Sequence, residues 1–162
     1  MSVEVGMSLE DRIGRLEAVR ALSDVMATYA WAVDEKDINL LLTLIADDVS
    51  YRIEPRTDEF VEHGSPGGIA FSGKQRFRDF YQASFDQIRY MKHNISNIYV
   101  EVNGDEAYVR SYYVGETVTD DHGDEVTGIY HFTFRLTAGR WCAYDIVLDR
   151  KTWTGRDYGL VT

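Results

Sequence analysis

The chain has 162 residues, 44% of them hydrophobic, and carries 17 Lys and Arg against 27 Asp and Glu, a formal net charge of −10. This length suggests one domain over residues 1–162, with a buried core and room for a pocket. No basic run is present, so neither a nucleic acid nor an anionic membrane surface is expected as a partner. With Cys142 as the lone cysteine, no signal peptide and no apolar run of the ~20 residues that cross a bilayer, we expect a cytoplasmic protein.

A long first helix is predicted over residues 8–33. Ser8 and Asp11 form a capping-box pattern at its start, in which side-chain oxygens satisfy free N–H groups of the first turn. Trp31 falls opposite the apolar stripe of this helix, so we expect it to be partly exposed or covered by another subunit. The stripe has helical spacing and consists of Leu22, Met26, Tyr29 and Val33.

Two further helices follow from caps and apolar spacing. One is predicted over residues 38–46, with Asp37 as its N-cap. The other lies within residues 72–90, where Ser72 and Gln75 suggest a second capping box. Its inward face is predicted to hold Phe77, Phe80, Tyr81, Phe85 and Ile88.

After residue 92 the apolar period changes to two, which indicates strands. Asn103-Gly104 is a strong hairpin signal, since both residues tolerate positive φ. Helices followed by an antiparallel meander predict an α+β fold, with one curved sheet that wraps a helical layer and can close a cone. Residues 49–54 form an earlier short strand. The predicted meander strands lie near residues 93–102, 106–118, 125–137 and 140–150.

The second meander strand is apolar on both faces, which predicts a cover on each side. Val109 and Tyr113 share one face. Tyr108, Tyr112 and Val114 share the other. Together with Trp31, this pattern predicts a homo-oligomer, either a dimer or a trimer.

No cofactor or metal site is expected from sequence motifs. No pair among the four histidines has the His-x-x-x-His spacing of zinc proteases. The glycine-rich stretch at residues 63–68 lacks the Gly-Lys-Ser/Thr of a phosphate-binding loop, and no dinucleotide motif is present, so we interpret it as a loop near a pocket mouth. The histidines are His63, His93, His122 and His131.

With no metal or cofactor motif, acid–base catalysis is the remaining chemistry. Asp34 and His93 are the candidate catalytic residues. Asp34 lies at the edge of the helical stripe, and His93 opens an apolar strand. A carboxylate that orients an imidazole fixes its tautomer and leaves the other ring nitrogen as a general base. On residue types alone the alternative stays open that Asp34 caps the following segment and that His93 is a solvated strand end.

Three segments resemble the SnoaL-like branch of the nuclear-transport-factor-2-like superfamily, which includes scytalone dehydratase, a bile-acid dehydratase and hexachlorocyclohexane dehydrochlorinase. They are "RLEAVRALSDVMATYAWAVDEKDINLLLTLIADDVSY", "YMKHNISNIYVEVNGDEAYVRSYYV" and "GIYHFTFRLTAGRWCAYDIV". The resemblance covers about residues 9–152 and implies the same α+β cone. In the lyases of this family an Asp that ends the first helix pairs with a His that begins a strand. Asp34 and His93 match these two positions.

The resemblance also implies further site residues. Tyr29 matches a tyrosine that would act as proton donor facing the same cavity. A basic residue at the position of Tyr29 and an arginine near Ile146, both found in the dehydrochlorinase, are absent, which disfavours dehydrochlorination. The implied substrate-binding residues are Tyr51, Tyr130, Phe132 and Phe134.

These observations predict a cofactor-independent lyase of the dehydratase type, or an isomerase, acting on a small hydrophobic cyclic or aromatic substrate. The segments "LIADDVSYRI" and "IVLDRKTW" also resemble the non-catalytic β subunit of ring-hydroxylating dioxygenases. A small-molecule binding protein remains a further alternative. So does a polyketide-type cyclase, in which the aspartate acts without the histidine.

Overall fold

The computed structural model describes residues 7–55, 68–120 and 122–156. In chain order its elements are α1 (Leu9–Asp34), α2 (Ile38–Thr43), β1 (Ile45–Pro55), β2 (Ile69–Ser72), α3 (Lys74–Gln87), β3 (Tyr90–Asn103), β4 (Glu106–Val118), β5 (Gly123–Thr137) and β6 (Arg140–Arg156). One curved six-stranded sheet in the order β2-β1-β6-β5-β4-β3 wraps around the helices. The predicted α+β cone is confirmed. No described helix could serve as a membrane span.

Helix α1 begins and packs as its sequence predicts. Ser8 is the N-cap; its hydroxyl accepts a hydrogen bond from the Asp11 backbone N–H, and the Asp11 carboxylate accepts one from the Ser8 N–H. The whole predicted stripe is buried. Trp31, on the opposite side, is 65% exposed.

Helix α2 is shorter than predicted. Asp37 caps it by accepting a hydrogen bond from the Leu40 N–H, but the helix ends at Thr43 instead of residue 46. Ile45 already belongs to β1 and pairs with Ala143 of β6. Strand pairing with a distant part of the chain therefore overrides the local helical pattern.

Helix α3 has the predicted apolar face but a different start. Phe77, Tyr81 and Phe85 are buried along it. The predicted capping box is wrong, because Ser72 ends β2 and Gly73 is an N-cap without a side-chain hydrogen bond. Gly73 has φ +94°, so the turn between strand and helix needs the freedom of glycine.

The meander β3-β4-β5-β6 is joined by tight turns. The first hairpin is confirmed but shifted by one residue: Asn103 pairs with Glu106, and Gly104 is the first central residue, with φ +60°. A glycine with positive φ at that position is the preference of a type II′ turn. In the last hairpin both central residues, Ala138 and Gly139, have positive φ.

One strand pairing is parallel, although the sequence predicts an antiparallel sheet. Strand β1 pairs with β6 in parallel, with Tyr51 beside Ile146. Neighbouring strands of a meander are forced antiparallel by short turns, whereas β1 and β6 are separated by most of the chain, so no turn sets their direction. Strand β2, which was not predicted, covers the other edge of β1.

The concave face of the sheet is the buried face. On β4, Val109 and Tyr113 are buried against the helices, as the alternation predicts. Tyr112 on the opposite face is 55% exposed. Self-association through the exposed face stays a prediction. Residues 63–67 of the glycine-rich stretch, including His63, lie outside the described residues.

Candidate active site

Asp34 and His93 meet where α1 ends and β3 begins. The Asp34 Oδ1 atom lies 2.6 Å from the His93 Nδ1 atom, and Asp34 Oδ2 accepts a hydrogen bond of 2.9 Å from the His93 backbone N–H. Both side chains are 15% exposed. An ionised carboxylate only accepts hydrogen bonds, so Nδ1 carries the proton and the lone pair of a neutral ring lies on Nε2. The open alternative, a capping Asp34 and a solvated His93, does not describe this geometry.

His93 also lies in the wall of an interior cavity of about 180 Å³. A Cβ atom at Gly115 would lie 3.5 Å from His93 Nε2, so glycine on the neighbouring strand leaves this nitrogen accessible. Asp34 is not part of the cavity wall and stands behind the ring. The aliphatic and phenylalanine side chains of the wall are those of Val33, Ile53, Phe80, Ile88, Met91, Val126 and Leu148.

Three tyrosine hydroxyls form a hydrogen-bonded cluster on the side of α3. The Tyr81 hydroxyl is hydrogen-bonded to that of Tyr29 and lies 3.4 Å from that of Tyr51. Burial raises the pKa of Tyr51 to about 12 and the pKa values of Tyr29 and Tyr81 well above the ordinary 10.0. These groups therefore stay protonated and able to donate hydrogen bonds.

Two of the predicted substrate-binding residues, Tyr51 and Tyr130, line the cavity. Phe132 and Phe134 are turned inward but lie in the core, where Phe132 packs edge-on against Tyr29 with ring centroids 5.0 Å apart. Among the described residues the cavity wall includes neither these two phenylalanines nor Tyr29. Tyr81, predicted only as a core residue, occupies the wall instead. The roles assigned to Tyr29 and the phenylalanines stay predictions.

Arg150 and Tyr113 also line the cavity, although neither is predicted as a site residue from the sequence. Arg150 is 7% exposed, and burial lowers the pKa of its guanidinium. Within the described part of the chain, the buried Tyr113 hydroxyl has no hydrogen-bond partner. A sequence signal for Arg150 does exist. It lies four residues after Ile146, the position near which the dehydrochlorinase carries an arginine, and residues four apart on a strand share a face.

The other described histidines lie away from this cavity. His131 Nδ1 lies 2.6 Å from the Tyr108 hydroxyl, and His122 lies 3.4 Å from an Asp124 carboxylate oxygen. In residues 7–55, 68–120 and 122–156, no three His, Cys, Asp or Glu side chains cluster as a metal site would require.

Comparison with known proteins identifies the family. The profile of the SnoaL-like domain matches residues 14–145, most of the chain. The chain belongs to the SnoaL-like family. The resemblance inferred from sequence is thus confirmed. No curated protein matches this SnoaL-like chain in sequence.

Solved structures with the same fold include proteins of different activities. A proposed aromatic ring hydroxylase from Novosphingobium aromaticivorans is 26% identical, with 87% of this chain and 94% of that chain covered and a TM-score of 0.74. A proposed scytalone dehydratase from the same organism is 20% identical, with coverages of 86% and 88% and a TM-score of 0.74. A type 2 hexachlorocyclohexane dehydrochlorinase is 14% identical, with coverages of 91% and 94% and a TM-score of 0.76. The last two similarities concern the fold alone.

Proposed function

We propose that this SnoaL-like protein is a cofactor-independent lyase or isomerase in which His93 removes a proton from carbon. The observation that carries the proposal is the 2.6 Å contact between Asp34 and His93 Nδ1. His93 also lines the apolar cavity, and Gly115 of the same wall lies beside its Nε2 atom. A general base in this position contributes about 10²–10⁴-fold to a rate, so the substrate C–H must already be acidified by a neighbouring carbonyl or phenol.

The proposed step transfers one proton and moves one electron pair. The C–H bond beside the carbonyl breaks, the proton goes to His93 Nε2, and the bonding pair moves into the carbonyl oxygen. Asp34 stabilises the resulting imidazolium without taking its proton. In an elimination, the electron pair then expels a β-hydroxyl, which takes the proton from the His93 imidazolium and leaves as water. In an isomerisation, His93 returns the proton to a different carbon.

Donors for the substrate oxygen lie in the same cavity wall. The hydroxyls of Tyr81 and Tyr113 are neutral donors, and the guanidinium of Arg150 is a cationic one. Donors directed at an oxygen that gains charge stabilise the transition state more than the ground state. In this proposal Tyr29, the donor expected from the sequence, acts through its hydrogen bond to the Tyr81 hydroxyl.

Cavity size restricts the substrate class. The volume of about 180 Å³ is smaller than the roughly 300–1,000 Å³ of pockets for drug-sized ligands. The wall exposes more apolar than polar surface, and its charged or ionisable groups include His93, Tyr81 and Arg150. A small cyclic or aromatic molecule with one carbonyl or phenol oxygen matches both features.

The test uses a panel of small cyclic β-hydroxy ketones and enones in D₂O, followed by proton NMR. Wild-type protein is expected to exchange the α-proton, or to eliminate water, at rates that His93→Ala lowers by about 10²–10⁴-fold. Binding of the same compounds, measured by ligand-observed NMR, should persist in the variant. His131→Ala is the matched control, because this histidine lies away from the cavity. Equal rates for wild type and His93→Ala would refute the proposal.

A role as the β subunit of a ring-hydroxylating dioxygenase is the second candidate. The observation that favours it is the fold shared with the β subunit of a proposed aromatic-ring-hydroxylating dioxygenase from Novosphingobium aromaticivorans, with a TM-score of 0.69. That role requires a large catalytic partner and no Asp34–His93 chemistry. A chain that is unstable alone, inactive on the whole panel and stabilised only by a large iron–sulfur subunit would support this candidate over the lyase.

A further inference from the structure

Tyr113 and Arg150 belong to one row of residues that crosses three strands. Tyr113 of β4 pairs with Gly128 of β5, and Gly128 pairs with Arg150 of β6. Direct partners on neighbouring antiparallel strands project from the same face of the sheet. Both Tyr113 and Arg150 line the interior cavity, so this face is the concave one. A phenol and a guanidinium therefore lie in one row of the cavity wall, with a glycine between them.

Gly128 lets these two side chains approach each other. A Cβ atom at position 128 would lie 2.7 Å from Tyr113 Cε1 and 3.1 Å from the Cα atom of Arg150, so the tyrosine ring leans over this glycine. Cε1 is bonded to the carbon that carries the hydroxyl, so the hydroxyl end of the ring lies on the side of Arg150. The ladder between β5 and β6 also shifts register here and leaves Lys151 as an extra residue, a bulge that bends β6 next to Arg150.

The Tyr113 ring separates Arg150 from the proposed base. A Cβ atom at Gly115 would lie 3.8 Å from Tyr113 Cδ2 and 3.5 Å from His93 Nε2. Cδ2 and Cε1 are opposite corners of the ring, so His93 lies near one side of it and Arg150 near the other. A six-membered substrate ring that lies across Tyr113 can therefore reach both groups.

The charges of the cavity wall favour an anionic ligand. Arg150 is 7% exposed and is the one Lys or Arg among the described wall residues, which include no Asp or Glu. A charge in a poorly hydrated cavity attracts a ligand of opposite sign more strongly than it would in water. The buried Tyr113 hydroxyl has no hydrogen-bond partner among the described residues, and it supplies a neutral donor near the guanidinium.

We propose that Arg150 and Tyr113 form a carboxylate-binding subsite, and that the substrate is a small cyclic or aromatic carboxylic acid. A planar guanidinium can donate two parallel hydrogen bonds to the two oxygens of a carboxylate, and the Tyr113 hydroxyl donates a third. With its carboxylate at Arg150, the substrate presents a C–H bond to His93, and Tyr81 remains as the donor to the carbonyl or phenol oxygen. This assignment of the substrate class rests on the proposed function, whereas carboxylate binding itself does not.

The test compares the affinities of benzoate and benzamide by isothermal titration calorimetry at neutral pH. The two compounds have nearly the same shape, and only benzoate is charged. Wild type is expected to bind benzoate at least about tenfold more tightly, the effect of one hydrogen bond between charged groups. Arg150→Met has a side chain of similar length without the charge and should abolish this preference, whereas Arg150→Lys should keep part of it. Tyr113→Phe should weaken benzoate binding less than Arg150→Met does.

Arg110→Met is the matched control and should change neither affinity. Arg110 lies over the exposed Tyr99 ring, 5.1 Å from its centroid, and is not part of the described cavity wall. Circular dichroism checks that the variants are folded. The wild-type comparison needs no variant, and a shift of the Arg150 side-chain NMR resonance on addition of benzoate locates the ligand at this residue.

The outcomes separate this inference from the proposed reaction. Equal binding of benzoate and benzamide by wild type would overturn the carboxylate subsite, even where His93 is found to remove a proton. So would an unchanged preference for benzoate in folded Arg150→Met. A preference that is lost in Arg150→Met and kept in His93→Ala supports the subsite whatever the rates on ketones and enones show.

Discussion

The two sides of the interior cavity are built from different chemistry. On one side Asp34 and His93 form an ionisable pair, each 15% exposed and joined by a 2.6 Å contact. On the other side Tyr29, Tyr51 and Tyr81 form a neutral cluster that is almost completely buried. The two sides therefore have different roles. Asp34 holds the proton on His93 Nδ1, so that the Nε2 lone pair can accept a proton, while burial keeps the tyrosines protonated as hydrogen-bond donors.

A substitution in the Asp34–His93 pair should have the largest effect on turnover. Asp34→Asn keeps the shape of the side chain but offers the ring either an amide oxygen or an amide N–H. The histidine then loses its fixed tautomer and the stabilisation of its imidazolium. We expect turnover to fall about 10²–10⁴-fold with little loss of substrate binding.

Asp37→Asn is the matched control for this prediction, because asparagine is an equally good N-cap and Asp37 lies outside the site. Kinetics on both variants with the same substrate provide the measurement. Similar rates in the two variants would contradict a catalytic role for Asp34.

Substitutions in the tyrosine cluster should lower turnover less, and by different amounts for Tyr81 and Tyr29. Tyr81 lines the cavity, whereas Tyr29 is not in the described cavity wall and is hydrogen-bonded to the Tyr81 hydroxyl. Tyr81→Phe should slow turnover about tenfold, the value of one hydrogen bond of roughly 1.4 kcal/mol, and Tyr29→Phe should slow it less. A larger loss of turnover in Tyr29→Phe than in Tyr81→Phe would show that Tyr29 is the more important donor.

Alkaline pH should weaken the fold through the same cluster. Burial raises the pKa values of Tyr29, Tyr81 and Tyr130 well above 10.0, and that of Tyr51 to about 12. Above pH 10 the unfolded chain therefore loses protons that the folded chain keeps, so the free energy of unfolding decreases as pH rises. This stability is complete below pH 10.

Urea unfolding at pH 8 and at several values above pH 10 measures this decrease. Tyr81→Phe removes one of the ionising groups and should make the decrease shallower. A free energy of unfolding that stays constant above pH 10 would show that the cluster is accessible to solvent.

Substitution of Tyr113 should have the smallest effect: it should stabilise the fold slightly and weaken substrate binding. Its hydroxyl is buried without a hydrogen-bond partner in the described residues. Tyr113→Phe removes that unsatisfied group and should raise the free energy of unfolding by about 1 kcal/mol, while it weakens binding of an oxygen-bearing substrate. Tyr112→Phe, its exposed neighbour, should change neither quantity. A destabilised Tyr113→Phe would mean that the hydroxyl has a partner.

Most of the fold could be predicted because its signals are local. The capping box of Ser8, the change of period near residue 92 and the glycine of the first hairpin each act within a few residues. The parallel pairing of β1 with β6 and the early end of α2 depend on contacts between distant segments. No local pattern carries that information.

The site could be predicted in part for the same reason. Asp34 and His93 occupy marked positions, the end of a helix and the start of a strand. Tyr81 belongs to a five-residue apolar face, and helical spacing does not reveal which member reaches a cavity. Arg150 was missed because an arginine on a strand is expected in solvent, whereas here it is 7% exposed.

The tautomer of His93 tests the central claim most directly, and it needs no substrate. In protein labelled with ¹⁵N-histidine, long-range proton–nitrogen NMR spectra distinguish a protonated Nδ1 from a protonated Nε2. With neutral His93 we predict a proton on Nδ1, next to Asp34, and a free lone pair on Nε2, and we predict loss of this preference in Asp34→Asn. A neutral ring protonated on Nε2 in the wild type would contradict the account, because the nitrogen facing the cavity could then accept no proton.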